Sequence, residues 1–192
     1  INVSEFFRNP EQWKVFENLI LPRLLENSGR RLRIWSAACS TGDEPYTIAM
    51  ILQKYLPKMQ YEIIATDIDD QVLDKAANGL YHAKSISGVP DEYMQFFEKI
   101  SNDIYQISDK IINMVKFKQH NLLKDPYITG CDLIVCRNVL IYFTDEAKDD
   151  IFMKFNNVLN KNGILFIGNT EQILTPKAFG FTAIKSFFYT KE

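Results

Sequence analysis

Residues 33–46 read Arg-Ile-Trp-Ser-Ala-Ala-Cys-Ser-Thr-Gly-Asp-Glu-Pro-Tyr, and this stretch decides the fold. Leu32, Ile34 and Trp35 make a short apolar strand, and residues 36–40 are all small. Gly42 then turns the chain into a helix that has Pro45 in its first turn, where a missing N–H is harmless. A strand, a tight loop and a helix N-terminus together form the unit that binds nucleotide-like ligands in open α/β sheets. The small side chains let a ligand approach the backbone, although the G-x-G-x-x-G fingerprint is absent.

The next two residues, Asp43 and Glu44, narrow the ligand. Phosphates at this helix N-terminus would meet two carboxylates and be repelled, which disfavours a dinucleotide oxidoreductase. S-adenosylmethionine, with a sulfonium and an ammonium, would be attracted. Spacing alone leaves a second reading open, in which the two acids merely cap the helix and favour its dipole.

The whole chain sets the bounds. Its 192 residues, 46% hydrophobic and 24% charged, describe a single soluble globular domain able to bury a core. A net charge of -2 without a long basic run argues against broad nucleic-acid binding. No apolar run approaches the roughly 20 residues that span a bilayer, and no signal peptide opens the chain, so a cytoplasmic protein without membrane insertion is expected. Cys39, Cys131 and Cys136 form no C-x-x-C, and His82 and His120 are far apart, so neither disulfides nor a metal site is indicated. The cysteines read as small buried hydrophobes. The chain starts at Ile1 without a methionine, as a piece trimmed from something longer would.

Outward from the organising loop, a helix is predicted over residues 10–26 with Trp13, Phe16, Leu19, Ile20, Leu24 and Leu25 on its apolar face. The helix that follows the loop runs to Tyr55, with Ile48, Ile51, Leu52 and Tyr55 on one side. The strand 61–66 ends at Asp67, placed to accept hydrogen bonds from both hydroxyls of a ribose, and Gly79 is a left-handed cap for the helix 71–78. Residues 88–114 break the α/β alternation: a short helix (91–97) and alternating runs at 97–100, 104–107 and 110–114 predict a small antiparallel insertion suited to partner recognition. The sheet resumes at 115–119, before His120-Asn121-Leu122, and at 132–136, before Arg137-Asn138. Thr144 caps a helix over 145–159, a strand follows at 164–167, and residues 179–190 close as an antiparallel pair. The predicted class is α/β, a doubly wound, mostly parallel sheet of the S-adenosylmethionine-dependent methyltransferase type with a small antiparallel β insertion. Residues 1–28 form a leading segment and helix that pack on a catalytic domain spanning 29–192.

Five segments together resemble the chemotaxis receptor methyltransferases of the CheR family: residues 2–8 (Asn-Val-Ser-Glu-Phe-Phe-Arg), 35–46, 65–69 (Ala-Thr-Asp-Ile-Asp), 120–123 (His-Asn-Leu-Leu) and 136–143 (Cys-Arg-Asn-Val-Leu-Ile-Tyr-Phe). The resemblance implies methyl transfer from S-adenosylmethionine to glutamate side chains on the cytoplasmic helices of chemoreceptors, giving methyl esters and S-adenosylhomocysteine in chemotaxis adaptation. It assigns Arg8, Arg137 and Tyr142 to catalysis. Cofactor contacts carry over to Asn2, Ser4, Arg8, Glu44, Asp67, Asn121, Leu122, Cys136 and Arg137, with Glu44 at the amino-acid end, Asp67 at the ribose, Asn121 and Leu122 beside the adenine, and Cys136 and Arg137 beneath the methionine. Three departures stand out. The family's usual helical N-terminal domain is missing, Asp43 replaces a common Glu, and the inserted ribbon lacks the glycine-bearing turn of relatives that dock on a receptor's C-terminal peptide. Recognition without that tether, by a monomer, is therefore expected.

A glutamate acceptor, with a reference pKa near 4.3, is already ionised at neutral pH and needs no general base. The protein's task is then to desolvate the anion and align one oxygen with the methyl and sulfur. The rival readings are a carboxyl methyltransferase with a different acceptor and a non-catalytic S-adenosylmethionine sensor; an acceptor cleft built from Arg8, Arg137 and Tyr142 speaks against the sensor.

Overall fold

The computed structural model describes residues 4–29 and 31–192. Ten strands, six α-helical segments and several short 3-10 turns build two sheets among the described residues. The main sheet has the order β6-β2-β1-β7-β8-β10-β9, with β1 (Arg31–Ala37), β2 (Gln60–Asp67), β6 (Val115–Gln119), β7 (Cys131–Cys136), β8 (Leu159–Ile167), β9 (Phe181–Lys185) and β10 (Phe188–Lys191). The strands from β6 to β8 run parallel, whereas β10 is antiparallel to both β8 and β9. Strand order reverses between β1 and β7, the switch point at whose carboxyl edge open α/β sheets bind ligands.

Alternation along the central strands splits the core into two layers. Ile34, Leu133, Val135, Ile164 and Phe166 face one side, with α3 (Asp43–Tyr55) and the leading helix. Trp35, Ile134, Cys136, Leu165 and Ile167 face the other, with α6 (Asp145–Val158). Both faces being covered, the strands read as nearly continuous apolar runs. The capping expected from sequence is present: the Thr144 hydroxyl accepts from Ala147 N, Asp69 caps α4 (Asp70–Asn78), and Gly79 ends that helix at φ 65°.

Three local expectations are corrected. The leading helix is interrupted: α1 (Pro10–Val15) passes through a π-turn (Phe16–Ile20) into α2 (Leu21–Asn27). Pro22 has no N–H to give the helical ladder, and the wider turn accommodates it. The extra residue rotates the face, so Leu19 is 42% exposed while Trp13, Phe16, Ile20 and Leu24 are buried. Tyr55, at the end of α3, is likewise exposed. Residues 110–114 are not a strand, since α5 (Asp109–Ile112) lies there. The small sheet, order β3-β5-β4, takes β3 (Leu80–His82) from ahead of Gly88 and pairs it with β5 (Ile104–Ile107), which also pairs β4 (Phe97–Lys99). Strand β3 was hidden because a three-residue strand carries almost no periodicity.

Candidate active site

A cavity of about 510 Å³ opens at the carboxyl edge of the main sheet, over the switch point. Its walls come from the leading segment and α1 (Ser4, Glu5, Arg8, Trp13), the loop after β1 with the start of α3 (Ala38, Cys39, Ser40, Glu44, Thr47), the ends of β2 and β6 (Asp67, Ile68, His120 to Leu123), the loop after β7 (Arg137 to Val139, Ile141 to Phe143) and the segment after β8 (Asn169, Thr170). That volume lies within the range of small-molecule sites, roughly 300–1,000 Å³.

The loop after β1 is held by its immediate surroundings. Cys39 N donates to Thr66 O (2.8 Å), Ser40 N to Asp67 Oδ2 (2.9 Å) and Gly42 N to Cys39 O (3.1 Å). Ala38 and Ser40 are left-handed, at φ 57° and 51°, which turns backbone toward the cavity. Gly42 sits at φ 89°, and a Cβ there would lie 2.9 Å from Ala76 Cβ and 3.1 Å from the Tyr81 hydroxyl. Only glycine fits this turn.

Glu44, in the first turn of α3, accepts a hydrogen bond from Ser36 Oγ (2.8 Å) and lies 3.9 Å from Arg137 Nη1. Burial pushes its carboxyl up to about 7, against the opposing pull of Arg137 and Ser36. Asp43 differs: it is 1% exposed, its pKa is raised by burial, and Oδ1 is held by the Thr41 hydroxyl at 2.6 Å. The two acids thus separate into a buried one tied to Thr41 at the start of α3 and one that lines the cavity, and neither side chain caps the helix.

The leading segment is pinned by Phe6, edge-on to Tyr81 and Phe97, and by Phe7 against Trp13 and Tyr93. Phe7 N donates to Thr47 Oγ1 (3.3 Å), and both Phe7 and Asn9 are left-handed (φ 54° and 61°). This path sets the Arg8 side chain in the cavity wall while its carbonyl faces inward, accepting from Trp13 Nε1 (3.0 Å) and Arg137 Nη2 (2.8 Å).

Arg137 is only 6% exposed. Its Nη2 also donates to Asn9 Oδ1 (3.1 Å) and Gln12 Oε1 (2.9 Å), and the guanidinium lies over the rings of Trp13 and Phe166. Burial lowers its pKa to about 10, with Glu44 pulling the other way, so it stays a cation at neutral pH. Tyr142, by contrast, is 66% exposed at the cavity mouth beside Ile141, which rules out core packing.

The chain matches, over residues 2–188, the family described as CheR methyltransferase, SAM binding domain. The chemotaxis protein methyltransferase of Listeria monocytogenes serovar 1/2a is 46% identical over all of this chain and 73% of its own length. The chemotaxis protein methyltransferase of Borreliella burgdorferi is 38% identical over 90% of this chain and 65% of its own. The chain belongs to the CheR methyltransferase family. A solved structure of the citrinin polyketide synthase CMeT domain aligns at TM-score 0.50 and 14% identity, over 77% of this chain and 32% of that one, a likeness of fold alone.

The CheR cofactor is S-adenosylmethionine, and the cavity fits it. Glu44, the cavity carboxylate with the raised pKa, suits a cationic amino group, and Asp67 at the end of β2 keeps free lone pairs beside its bonds to the amides of Ser40 and Asp69 (2.9 and 3.0 Å). His120 supplies a further acceptor or donor. Its Nε2 pairs with Pro126 O at 3.0 Å, while buried Nδ1 has no hydrogen-bond partner among the described residues.

Ser4, Arg8, Glu44, Asp67, Asn121, Leu122, Arg137 and Tyr142 all line this one cavity. Asn2 lies outside the described residues. Cys136 does not line the cavity: it is fully buried in the layer with Trp35 and Ile134, because its β7 side chain points to the opposite face of the sheet. Sequence reasoning missed His120 and Glu171. His120 had a signal, lying between a strand end and Asn121, whereas Glu171 had none, since it acts on backbone amides about 30 residues away.

Proposed function

We propose that this chain transfers the methyl group of S-adenosylmethionine to glutamate side-chain carboxylates on the cytoplasmic helices of chemoreceptors, acting in the cytoplasm as a monomer without a C-terminal peptide tether. The observation that carries this reading is Tyr142, two-thirds exposed at the rim of a cavity whose wall contains Arg8. A binder that merely enclosed its ligand would have no use for a cation and a phenol at an open mouth. Among the described residues, no helix is long and apolar enough to cross a membrane.

S-adenosylmethionine, when bound, supplies an electrophilic methyl group on a sulfonium. Glu44 holds the cationic amino-acid end, and Asp67 accepts from the ribose hydroxyls. Arg8 grips the incoming carboxylate, and Tyr142 walls off water and donates a hydrogen bond near the attacking oxygen. Arg137, whose two Nη2 hydrogens are shared among three acceptors, lines the cavity, fixes the leading segment that carries Arg8 and sets Glu44. No proton needs to move, so orientation and exclusion of water supply the rate.

The deciding experiment is transfer from isotopically labelled S-adenosylmethionine to receptor cytoplasmic fragments, read as base-labile methanol. Label on glutamate supports the reading. Cofactor binding without label on any receptor fragment would point to a different carboxyl acceptor or to a sensor.

A further inference from the structure

We infer that Glu171 is a positioning residue for methyl transfer: its carboxylate gathers the backbone amides of the loop after β7 and so holds Tyr142 at the cavity mouth. The inference rests on the catalytic reading of Tyr142. Glu171 is 6% exposed and lies beyond β8, in a segment with no helical or strand hydrogen-bond ladder of its own. Its Oε1 accepts from Asn138 N and from Gly168 N (3.2 Å), and its Oε2 accepts from Leu140 N. One side chain therefore ties the exit of β8 to two residues of the neighbouring loop.

The loop needs such a tie. Asn138 is left-handed at φ 61°, a conformation that asparagine tolerates but that turns the chain sharply, so the path of the loop depends on what holds its amides. Tyr142 follows in a short 3-10 turn, with its N–H on Val139 O at 3.1 Å, and its exposed ring cannot anchor itself. Three amide donors converging on one carboxylate form an anion nest, and such charge-assisted bonds are about twice as strong as neutral ones. Gly168 makes room for the nest, since a Cβ there would lie 2.7 Å from Glu171 Oε1 and 2.8 Å from Asn138 N. Glutamine is not equivalent, because its NH2 would face an N–H where the second oxygen now accepts.

A double-mutant cycle tests the assignment, using Glu171→Gln, Tyr142→Ala and the combination in the whole chain with receptor fragments as acceptor. Cofactor affinity by calorimetry and thermal unfolding are read alongside. Glu171→Gln is expected to lower kcat about 10-fold or more while cofactor affinity changes less than about 3-fold, the pattern of a displaced catalytic group. The double variant should be no slower than Tyr142→Ala alone. Losses that multiply, an unchanged kcat in Glu171→Gln, or a fall in cofactor affinity matching the fall in kcat would overturn the inference while leaving Tyr142 catalytic. Full activity in Tyr142→Ala would remove the catalytic reading itself and the inference with it. If Glu171→Gln does not fold, Gly168→Ala, which pushes the carboxylate off the loop, takes its place in the cycle with the same expected outcomes.

Discussion

The loop after β1 and the loop after β7 line the same cavity, yet the first is held by the strand paired beside it and by the helix that follows that strand, and the second by side chains from both ends of the chain. Residues 38–42 are set by a glycine, by small side chains, by the end of the adjacent strand β2 and by Ala76 and Tyr81, the Tyr81 hydroxyl donating to Thr41 O at 2.6 Å. Residues 137–143 are set by Asn9 and Gln12, about 125 residues before Arg137, and by Glu171, about 30 residues after the loop. A loop whose turn is set by its own residue types can be read from its motif. A loop built from afar shows its own residues but hides its supports, and its residues acquire roles that the motif does not display.

The largest expected effect lies in the second loop. Arg137→Ala leaves the Glu44 carboxylate without its cation and the Asn9 and Gln12 oxygens without their donor. Methyl transfer should fall at least about 100-fold and stability by about 3 kcal/mol, the scale for breaking a buried charge network. Thermal unfolding beside the methanol-release assay checks both. An inactive variant of wild-type stability would break the comparison, because Arg137 would then touch the acceptor directly. Arg137→Lys keeps the charge but not the planar guanidinium that lies over Trp13 and Phe166 while facing Glu44 through Nη1, and should recover little.

In the first loop the matching perturbation is Gly42→Ala. Strain at φ 89° and a Cβ 2.9 Å from Ala76 should cost about 2 kcal/mol of stability, measured by urea unfolding. A near-neutral substitution would show that the turn does not depend on its glycine after all. Asp67→Ala comes next: it removes the ribose acceptor, and cofactor affinity should weaken about 10-fold or more in calorimetry. Because Asp67 also holds the amides of Ser40 and Asp69, Asp67→Asn sharpens the result. The Asn variant still turns its NH2 on one of those two amides, so thermal unfolding is read beside calorimetry: affinity lost at wild-type stability assigns the effect to the ribose acceptor, and a matching loss of stability assigns it to loop support.

Legibility in the sequence follows the same division. The alternation of strands and helices, Gly42, the Gly79 cap, the Thr144 cap and Asp67 at its strand end were all readable, because each carries a signal in its own residue type and immediate sequence, even where, as at Gly42, distant residues enforce it. Leu19 misled because a proline three residues on opens a π-turn, and residues 110–114 misled because Ile111 and Ile112 suit a strand as well as a helical turn. Cys136 was carried over from the family motif together with Arg137, but as the last residue of β7 its side chain is buried in the layer with Trp35 and Ile134. The buried commitments of Arg137 and the nest of Glu171 were invisible, since nothing in either residue's neighbourhood names its partners.

The two loops also meet through Glu44, and here the expected effect is smallest but most diagnostic. Its carboxyl is pushed up to about 7 by burial, from an ordinary value of 4.5, so between those values the folded protein keeps a proton that the unfolded chain has lost. The stability this contributes is fully present below the unfolded pKa and is lost as pH rises through the folded one. A cationic ligand reverses the preference by favouring the ionised carboxylate, so binding it below pH 7 must release a proton. Cofactor affinity should therefore rise about 5- to 10-fold from pH 6 to 7.5, then fall as the ligand's own α-amino group deprotonates near 7.7–8.0. Calorimetry in buffers of different ionisation enthalpy counts the proton, and Glu44→Gln should flatten the rise. If the rise persists in Glu44→Gln, the titrating group lies elsewhere in the cavity, and the joint between the two loops is not the amino-acid pocket.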